Sequence, residues 1–214
     1  MTVTEAMAAR SSIRAYKSEA IDKAVIMEIL EKAARTPSWA NTQPWDVFVA
    51  TGDTLERIRQ GYADNYKNAV KSGPEIPRPA EWPQAAKERT MGLRPDMVRD
   101  CGDDAEKFGE LNQRMFDAPA VIFLCLDKMF STWSLYDLGA FAQSIVLLAQ
   151  ECGLSTIPAI TSVLYPEILR RELNIPENLK IAIGIPIGYA DRDNKINNFH
   201  SARKPMSETV YYHS

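Results

Sequence analysis

The run from Leu135 to Cys152 constrains this chain more than any other segment, because its apolar residues fall on nearly every face of a helix. A helix that is hydrophobic all round must be buried. Its most apolar part, Leu138 to Ala149, is broken by Gly139, Gln143 and Ser144. It is also much shorter than the roughly 20 residues a membrane span requires. The helix is therefore expected inside protein, either in the core of a 214-residue domain or against a second subunit. A core partner is visible in Ala120-Val121-Ile122-Phe123-Leu124-Cys125-Leu126, a continuous apolar run rich in β-formers that reads as a central strand.

Other segments fit around this pair. Thr2 or Thr4 caps a short first helix ending near Arg10, and Asp22 caps a second helix with Val25, Ile26, Ile29, Leu30, Ala33 and Ala34 at helical spacing. Asp46 to Ala50 reads as a buried strand, and Asp53 as the cap of a helix running toward Val70. Four prolines between Ser72 and Pro83 exclude regular structure there. Charge-rich helices are expected over Gln84–Val98 and Asp103–Phe116, outside the main core. Residues 72–117 thus form an excursion that can cover a site. Ser155–Ile160 reads as a strand, Pro166–Leu173 as a helix, and Leu179–Tyr189 as a strand that Pro186 assigns to a sheet edge or bulge. The tail is polar from Asn194 but ends in Val210, Tyr211 and Tyr212, which suggests that it docks on something, the partner chain being one candidate. The sum is one α+β domain over 1–214, a mixed sheet among helices.

Composition removes several function classes. The net charge is −3 with no basic run, so no nucleic acid and no membrane partner are expected. Cys101, Cys125 and Cys152 form no C-x-x-C pair, and the start has no signal-peptide pattern, which together read as a reduced, cytoplasmic protein. Only His200 and His213 are available for a zinc site or a Ser-His-Asp triad, so no metal site is expected. Neither G-x-G-x-x-G nor G-x-x-x-x-G-K-[ST] occurs, so a nicotinamide would be a visiting substrate rather than a tenant of a Rossmann fold.

Two motifs carry chemistry. Arg10-Ser11-Ser12-Ile13-Arg14 sets two fixed cations and two hydroxyls in one run, a combination suited to phosphate oxygens. Pro37-Ser38-Trp39-Ala40-Asn41-Thr42-Gln43-Pro44-Trp45 is a loop stiffened by prolines, with amides able to match a heterocycle edge. Each alone is a common helix end or turn; their joint occurrence in this order is far more specific. Together with Gly184-Ile185-Pro186-Ile187-Gly188-Tyr189-Ala190-Asp191, Asn197 and Arg203-Lys204-Pro205, they resemble the nitroreductase family of FMN-dependent oxidoreductases. Arg78-Pro79-Ala80-Glu81-Trp82-Pro83 and Ser134-Leu135-Tyr136-Asp137-Leu138-Gly139 look most like its nitrobenzoate-reductase branch.

The resemblance implies a nitroreductase-like fold, an intertwined homodimer, and FMN at the subunit interface. Arg10 and Arg203 would hold the FMN phosphate, and Ser11 and Ser12 would bond phosphate, ribityl or ring oxygens. Arg14 matches the position near the N1/O2 edge of the ring, where a cation favours the reduced, anionic flavin. Pro37, Ser38, Trp39 and Asn41 match the loop that reaches FMN from the other subunit. Gln43 and Trp45 either join them or hold the loop in shape. Trp39 departs from the family, which often has a small residue there. Gln143 would contact the flavin chain or bond across the interface. Pro158, Ala159 and Ile160 align with the segment whose backbone N–H faces flavin N5, although many relatives carry glutamate and glycine in place of Ala159 and Ile160.

No catalytic side chain is expected, because the flavin carries the chemistry. The implied reaction is hydride transfer from NAD(P)H to a small aromatic acceptor, nitroaromatic or quinone, by a ping-pong route. Trp82, Phe130, Trp133 and Tyr136 are candidates for an aromatic pocket, and Arg78 and Arg89 for a substrate carboxylate. Two other readings keep the flavin: a reductive dehalogenase, with Tyr62, Tyr66 and Lys67 in a covering region, and a flavin-storage module.

Overall fold

The computed structural model describes residues 1–213. A four-stranded sheet is built from β1 (Asp46–Thr51), β2 (Ala120–Asp127), β3 (Ser155–Thr156) and β4 (Leu179–Gly188), in the order β1-β2-β4-β3. Every strand pair is antiparallel. The mixed character expected of the sheet is limited to one parallel bridge, Ser12 to Thr156. Seven α-helices among the described residues surround it: α1 (Val3–Ala9), α2 (Lys23–Ala33), α3 (Gly52–Lys67), α4 (Gln84–Cys101), α5 (Phe108–Gln113), α6 (Thr132–Glu151) and α7 (Pro166–Leu173).

The central strand explains the two-layered core. Along β2, Val121, Phe123 and Cys125 face α3 and α7, where they meet Leu55, Ile58, Tyr62, Ile168 and Leu169. Ile122, Leu124 and Leu126 face α2 and α6, where they meet Ile26, Ile29, Leu138, Phe141 and Ile145. With both faces covered, side chains alternating in direction are apolar at every position. A register shift at Leu124/Cys125 inserts one residue, Ala182, into β4. That extra residue reverses the strand's facing, so Ile181 joins the α3/α7 layer while Ile185 and Ile187 join the α2/α6 layer.

Local chemistry sets the ends. Thr2 forms a capping box with Glu5, and the Asp22 carboxylate accepts from Ala24 N at 2.8 Å. Asp53 is not the cap of α3. The helix starts at Gly52, whose φ of +50° favours glycine, and Asp53 lies in the first turn. β1 is an edge strand with Val47, Phe48 and Val49 half-buried, not the buried strand expected, because it pairs on one side only. The strand expected over Ser155–Ile160 ends at Thr156: Pro158 has no N–H to donate, and the chain turns into a 3-10 segment over Ile160–Val163. Pro186 sits inside β4. Its carbonyl accepts from Ile157 N at 3.1 Å, so its missing donor faces the side where β3 has ended and leaves β2 pairing intact.

The excursion departs from expectation in one respect. Residues 102–117 break into 3-10 turns and the short α5, with Met115, Phe116 and Asp117 all at positive φ. The segment also owns a small core, in which Met97, Cys101 and Ala105 pack with Ala15, Ile196 and Phe199. Its Pro-rich loop is clamped from below. Glu75 Oε1 receives Arg170 Nη2 at 2.6 Å, and Oε2 receives Ile181 N at 2.6 Å. The apolar tail residues Val210, Tyr211 and Tyr212 are exposed and are not buried by any of the described residues. No helix among the described residues is long and apolar enough to cross a membrane.

Candidate functional site

Eight of the candidate residues, Arg10, Ser11, Ser12, Arg14, Arg203, Pro37, Ser38 and Trp39, line two cavities. The first is a small anion cradle at the end of α1. Arg10 terminates that helix in extended conformation, and the chain then runs along the sheet, with Ile13 N donating to Thr156 O at 3.2 Å. Asn197 fixes the segment from the other side. Its Oδ1 accepts from Arg14 N at 2.7 Å and Ala15 N at 3.1 Å, while its Nδ2 donates to Ala15 O and Asp191 O, both at 2.8 Å. The C-terminal segment crosses over this, and Arg10, Ser11, Ser12, Arg14, Phe199, His200, Ser201 and Arg203 enclose a space of about 50 Å³.

The electrostatics of the cradle are one-sided. Its lining contains three guanidinium groups and no carboxylate. None of the three makes an ion pair among the described residues. Arg203 Nη1 reaches only its neighbours Ser201 and Ala202. Arg14 is only 8% exposed and sits between the rings of Phe108 and Phe199, at 5.3 and 5.2 Å from their centroids. Its Nη1 donates to Ser12 O at 2.8 Å, and its Nε has no partner. Burial pulls the Arg14 pKa below the usual arginine value. A guanidinium nonetheless stays charged. A buried cation with an unmatched donor is a costly arrangement that an anionic or carbonyl-bearing ligand would relieve.

The second cavity is an apolar cleft of about 580 Å³ lined by Pro37, Ser38, Trp39, Trp133, Tyr136 and Asp137. The loop that forms its wall is strained: Ala40, Asn41 and Gln43 have φ of 49°, 58° and 45°. Gln43 and Trp45 hold its shape. Gln43 N donates to Ser38 Oγ at 2.8 Å, Gln43 Nε2 to Asn41 Oδ1 at 3.2 Å, and the Trp45 ring stacks on Phe141 at 4.5 Å. Trp39, Trp133 and Tyr136 are each more than 70% exposed, so three large aromatic faces meet solvent around one cleft.

The remaining candidates divide. Ala159 N–H donates to Gly184 O at 2.8 Å and is not free for a ligand. Ile160 N–H has no backbone acceptor among the described residues, and Ile160 and Pro158 are exposed while Ala159 is buried. Of Pro158, Ala159 and Ile160, only Ile160 keeps a donor unpaired among the described residues. Gln143 is exposed rather than buried and meets only Met7 Sδ, at 3.7 Å, because α6 turns this face away from its own core. Trp82, Arg78 and Arg89 are exposed and line neither cavity, and Phe130 packs in the α2/α6 layer. Tyr62 covers nothing: it is fully buried, donates to Ser162 O at 2.8 Å, and meets Tyr165 edge to face. Tyr66 packs beside it, edge to face with Tyr165 at 5.6 Å.

Sequence reasoning missed four contributors. His200, weighed in the sequence only for a zinc site or a triad, is exposed and walls the cradle. Phe108 and Phe199 sandwich Arg14 from distant segments and left no local signal. Asp137 had a signal, being the one carboxylate of the apolar run Leu135–Ala149.

Known proteins share this arrangement of elements. A sequence model of the nitroreductase family matches residues 7–189. The chain is 30% identical over 213 residues to the chloronitrobenzene nitroreductase of Comamonas testosteroni, covering 95% of this chain and 94% of that one. It is 29% identical over 213 residues to the 4-nitrobenzoate reductase of Nocardioides sp. (strain LMS-CY), covering 95% and 86%. Among solved structures, the FMN and NADPH-dependent nitroreductase NfnB of Sphigopyxis sp. strain HMH superposes with a TM-score of 0.92 at 26% identity, over 100% of both chains. With the fold, the phosphate-type cradle and the Pro-Ser-x-x-Asn-x-Gln-Pro loop all in place, this chain belongs to the nitroreductase family.

Proposed function

We propose that this chain is an FMN-dependent oxidoreductase that passes hydride from NAD(P)H to nitroaromatic or quinone acceptors. The observation that carries the reading is the cradle of three arginines, with Arg14 buried and its Nε unmatched. FMN fits that donor set: a phosphate answers Arg10, Arg203, Ser11 and Ser12, and a ring carbonyl edge answers Arg14. When bound, FMN supplies the hydride chemistry, and the protein supplies orientation and charge. Arg14 would then place fixed positive charge where the reduced ring is negative, and the unpaired Ile160 N–H is the backbone donor left for the ring.

The cradle and the aromatic cleft share no lining residue. A homodimer resolves this, because the loop of one copy can complete the cradle of the other. The exposed α6 face with Gln143 and the uncovered Tyr211 and Tyr212 support such an interface. Within it, Pro37, Ser38, Trp39 and Asn41 would wall the ring, and the excursion over 72–117 would cover it. A single cleft serving donor and acceptor in turn predicts parallel-line initial-rate plots. The nitroaromatic reductases related to this chain favour that acceptor class.

The test is an anaerobic visible spectrum of purified protein, before and after NADH or NADPH and then p-nitrobenzoate or nitrobenzene. A flavin spectrum that bleaches and returns supports the reading. Flavin that no nicotinamide bleaches favours storage, and protein that takes up no FMN removes the reading.

A further inference from the structure

We infer that Asp137 is a positioning residue that holds the strained aromatic loop against α6 in the shape its ligand meets. The inference rests on the function proposed above and names the part of the chain that prepares the site. Residues 37–45 carry three non-glycine residues at positive φ, a conformation of order 1–3 kcal/mol each that persists only when surroundings impose it. The surroundings are three pins to one face of α6. Thr36 Oγ1 donates to Ser144 Oγ at 2.7 Å, Trp39 N donates to Asp137 Oδ2 at 3.1 Å, and Trp45 stacks on Phe141 with an interplanar angle of 5°.

The middle pin is the informative one. Asp137 and Phe141 lie at i and i+4, so they share a helix face and grip the two ends of the strained turn. Asp137 is 5% exposed, the one carboxylate in the apolar run Leu135–Ala149, and it has no ion pair among the described residues. Its Oδ2 is aimed at the one backbone N–H that starts the turn Trp39–Asn41. A buried carboxylate is costly unless its hydrogen bonds matter to the structure that keeps it. Trp39, which it holds, is 71% exposed, so core packing does not fix the indole. The backbone bond fixes the main chain from which it projects.

The consequence is preorganisation: a loop already held in its binding shape loses less freedom when a ligand arrives. Asp137→Ala should weaken FMN binding roughly tenfold to hundredfold, the range of a hydrogen bond to a charged acceptor, with a circular dichroism spectrum like that of the parent protein. Asp137→Asn keeps an acceptor of the same reach and should restore binding to within about threefold. Both are read by flavin fluorescence in a titration, alongside kcat and KM for nitrobenzene. Preorganisation of the cleft predicts that KM rises more than kcat falls in the alanine variant. Amide exchange at Trp39 in the parent protein is the independent measurement if the alanine variant does not fold: slow exchange at this exposed residue supports the pin. Alanine binding FMN like the parent, asparagine failing as badly as alanine, or Trp39 N–H exchanging at the rate of a free peptide would each overturn the inference. A parent protein that takes up no FMN overturns the proposed function instead, while the exchange measurement still judges the pin.

Discussion

Replacing Arg14 with methionine should separate stability from ligand affinity. In the ligand-free chain two sets of interactions oppose each other. The unmatched buried Nε costs about 1–3 kcal/mol. Against it stand the Nη1 bond to Ser12 O and the contacts with Phe108 and Phe199, worth together roughly 2–4 kcal/mol. Methionine fills much of the same slot between the rings and needs no partner. Ligand-free stability should therefore move by no more than about 2 kcal/mol, or about 4–8 °C in Tm for a domain of this size. FMN affinity has no such cancellation. Loss of a charge-assisted bond of about 1.5–3 kcal/mol should raise Kd roughly tenfold to hundredfold. Arg14→Lys keeps the charge without the fork and should fall between. The assay is thermal unfolding of flavin-stripped protein beside a fluorescence titration with FMN. A methionine variant that binds FMN within about threefold of the parent would refute the assignment of Arg14 to the ligand. One that unfolds far below the parent would refute the cancellation.

Three further outcomes follow from the packing. Glu75→Ala leaves the half-buried Arg170 without its carboxylate and Ile181 N without an acceptor, so Tm should fall by roughly 5–10 °C and protease should cut first within 72–83; an unchanged Tm and cleavage pattern would show the clamp to be idle. Burial pushes the Cys125 thiol from 9.0 up to about 12, so it should resist thiol reagents until global unfolding. Because the unfolded thiol ionises first, this residue's contribution to stability should decline as pH rises from about 8.5 toward 12, and Cys125→Ala should flatten that part of the pH–stability curve. Gly184→Ala would set a methyl 2.4 Å from Ser162 Cβ and 3.2 Å from Phe123, and should cost roughly 1–3 kcal/mol in a denaturant melt, with the Ala159 bridge loosened; a neutral result would mean the 159–163 turn is free to retreat.

Much of the fold was legible because its signals are local. The Thr2 and Asp22 caps, the central strand Ala120–Leu126 and the helix Pro166–Leu173 depend on residues adjacent in the chain, and they stand where periodicity and capping place them. The buried character of the Leu135–Cys152 run was legible too, but only on one face: Leu138, Phe141 and Ile145 are buried while Tyr136 and Gln143 are exposed. Strand limits were less legible. Ser155–Ile160 looks uniform in propensity, yet where β3 ends depends on Pro158 and on which neighbour remains to pair.

By itself the sequence determined the chemistry on offer: cations and hydroxyls at Arg10–Arg14 and Arg203, and a stiff amide-bearing loop at Pro37–Trp45. It also determined that a buried helix and a central strand would build an α+β core around them. Tertiary structure alone decided how that chemistry is set. It brought Phe108 and Phe199 around Arg14 and supplied no carboxylate, which turns an ordinary arginine into a buried, unmatched cation. It spent the Ala159 N–H on Gly184 and left that of Ile160, and it buried Tyr62 rather than laying it over the site. It aimed Asp137 at Trp39 N. The physical reason is common to all four. Residue type sets what a group can bond, whereas desolvation and partner choice are set by atoms from remote segments, and those meet only when the chain has folded.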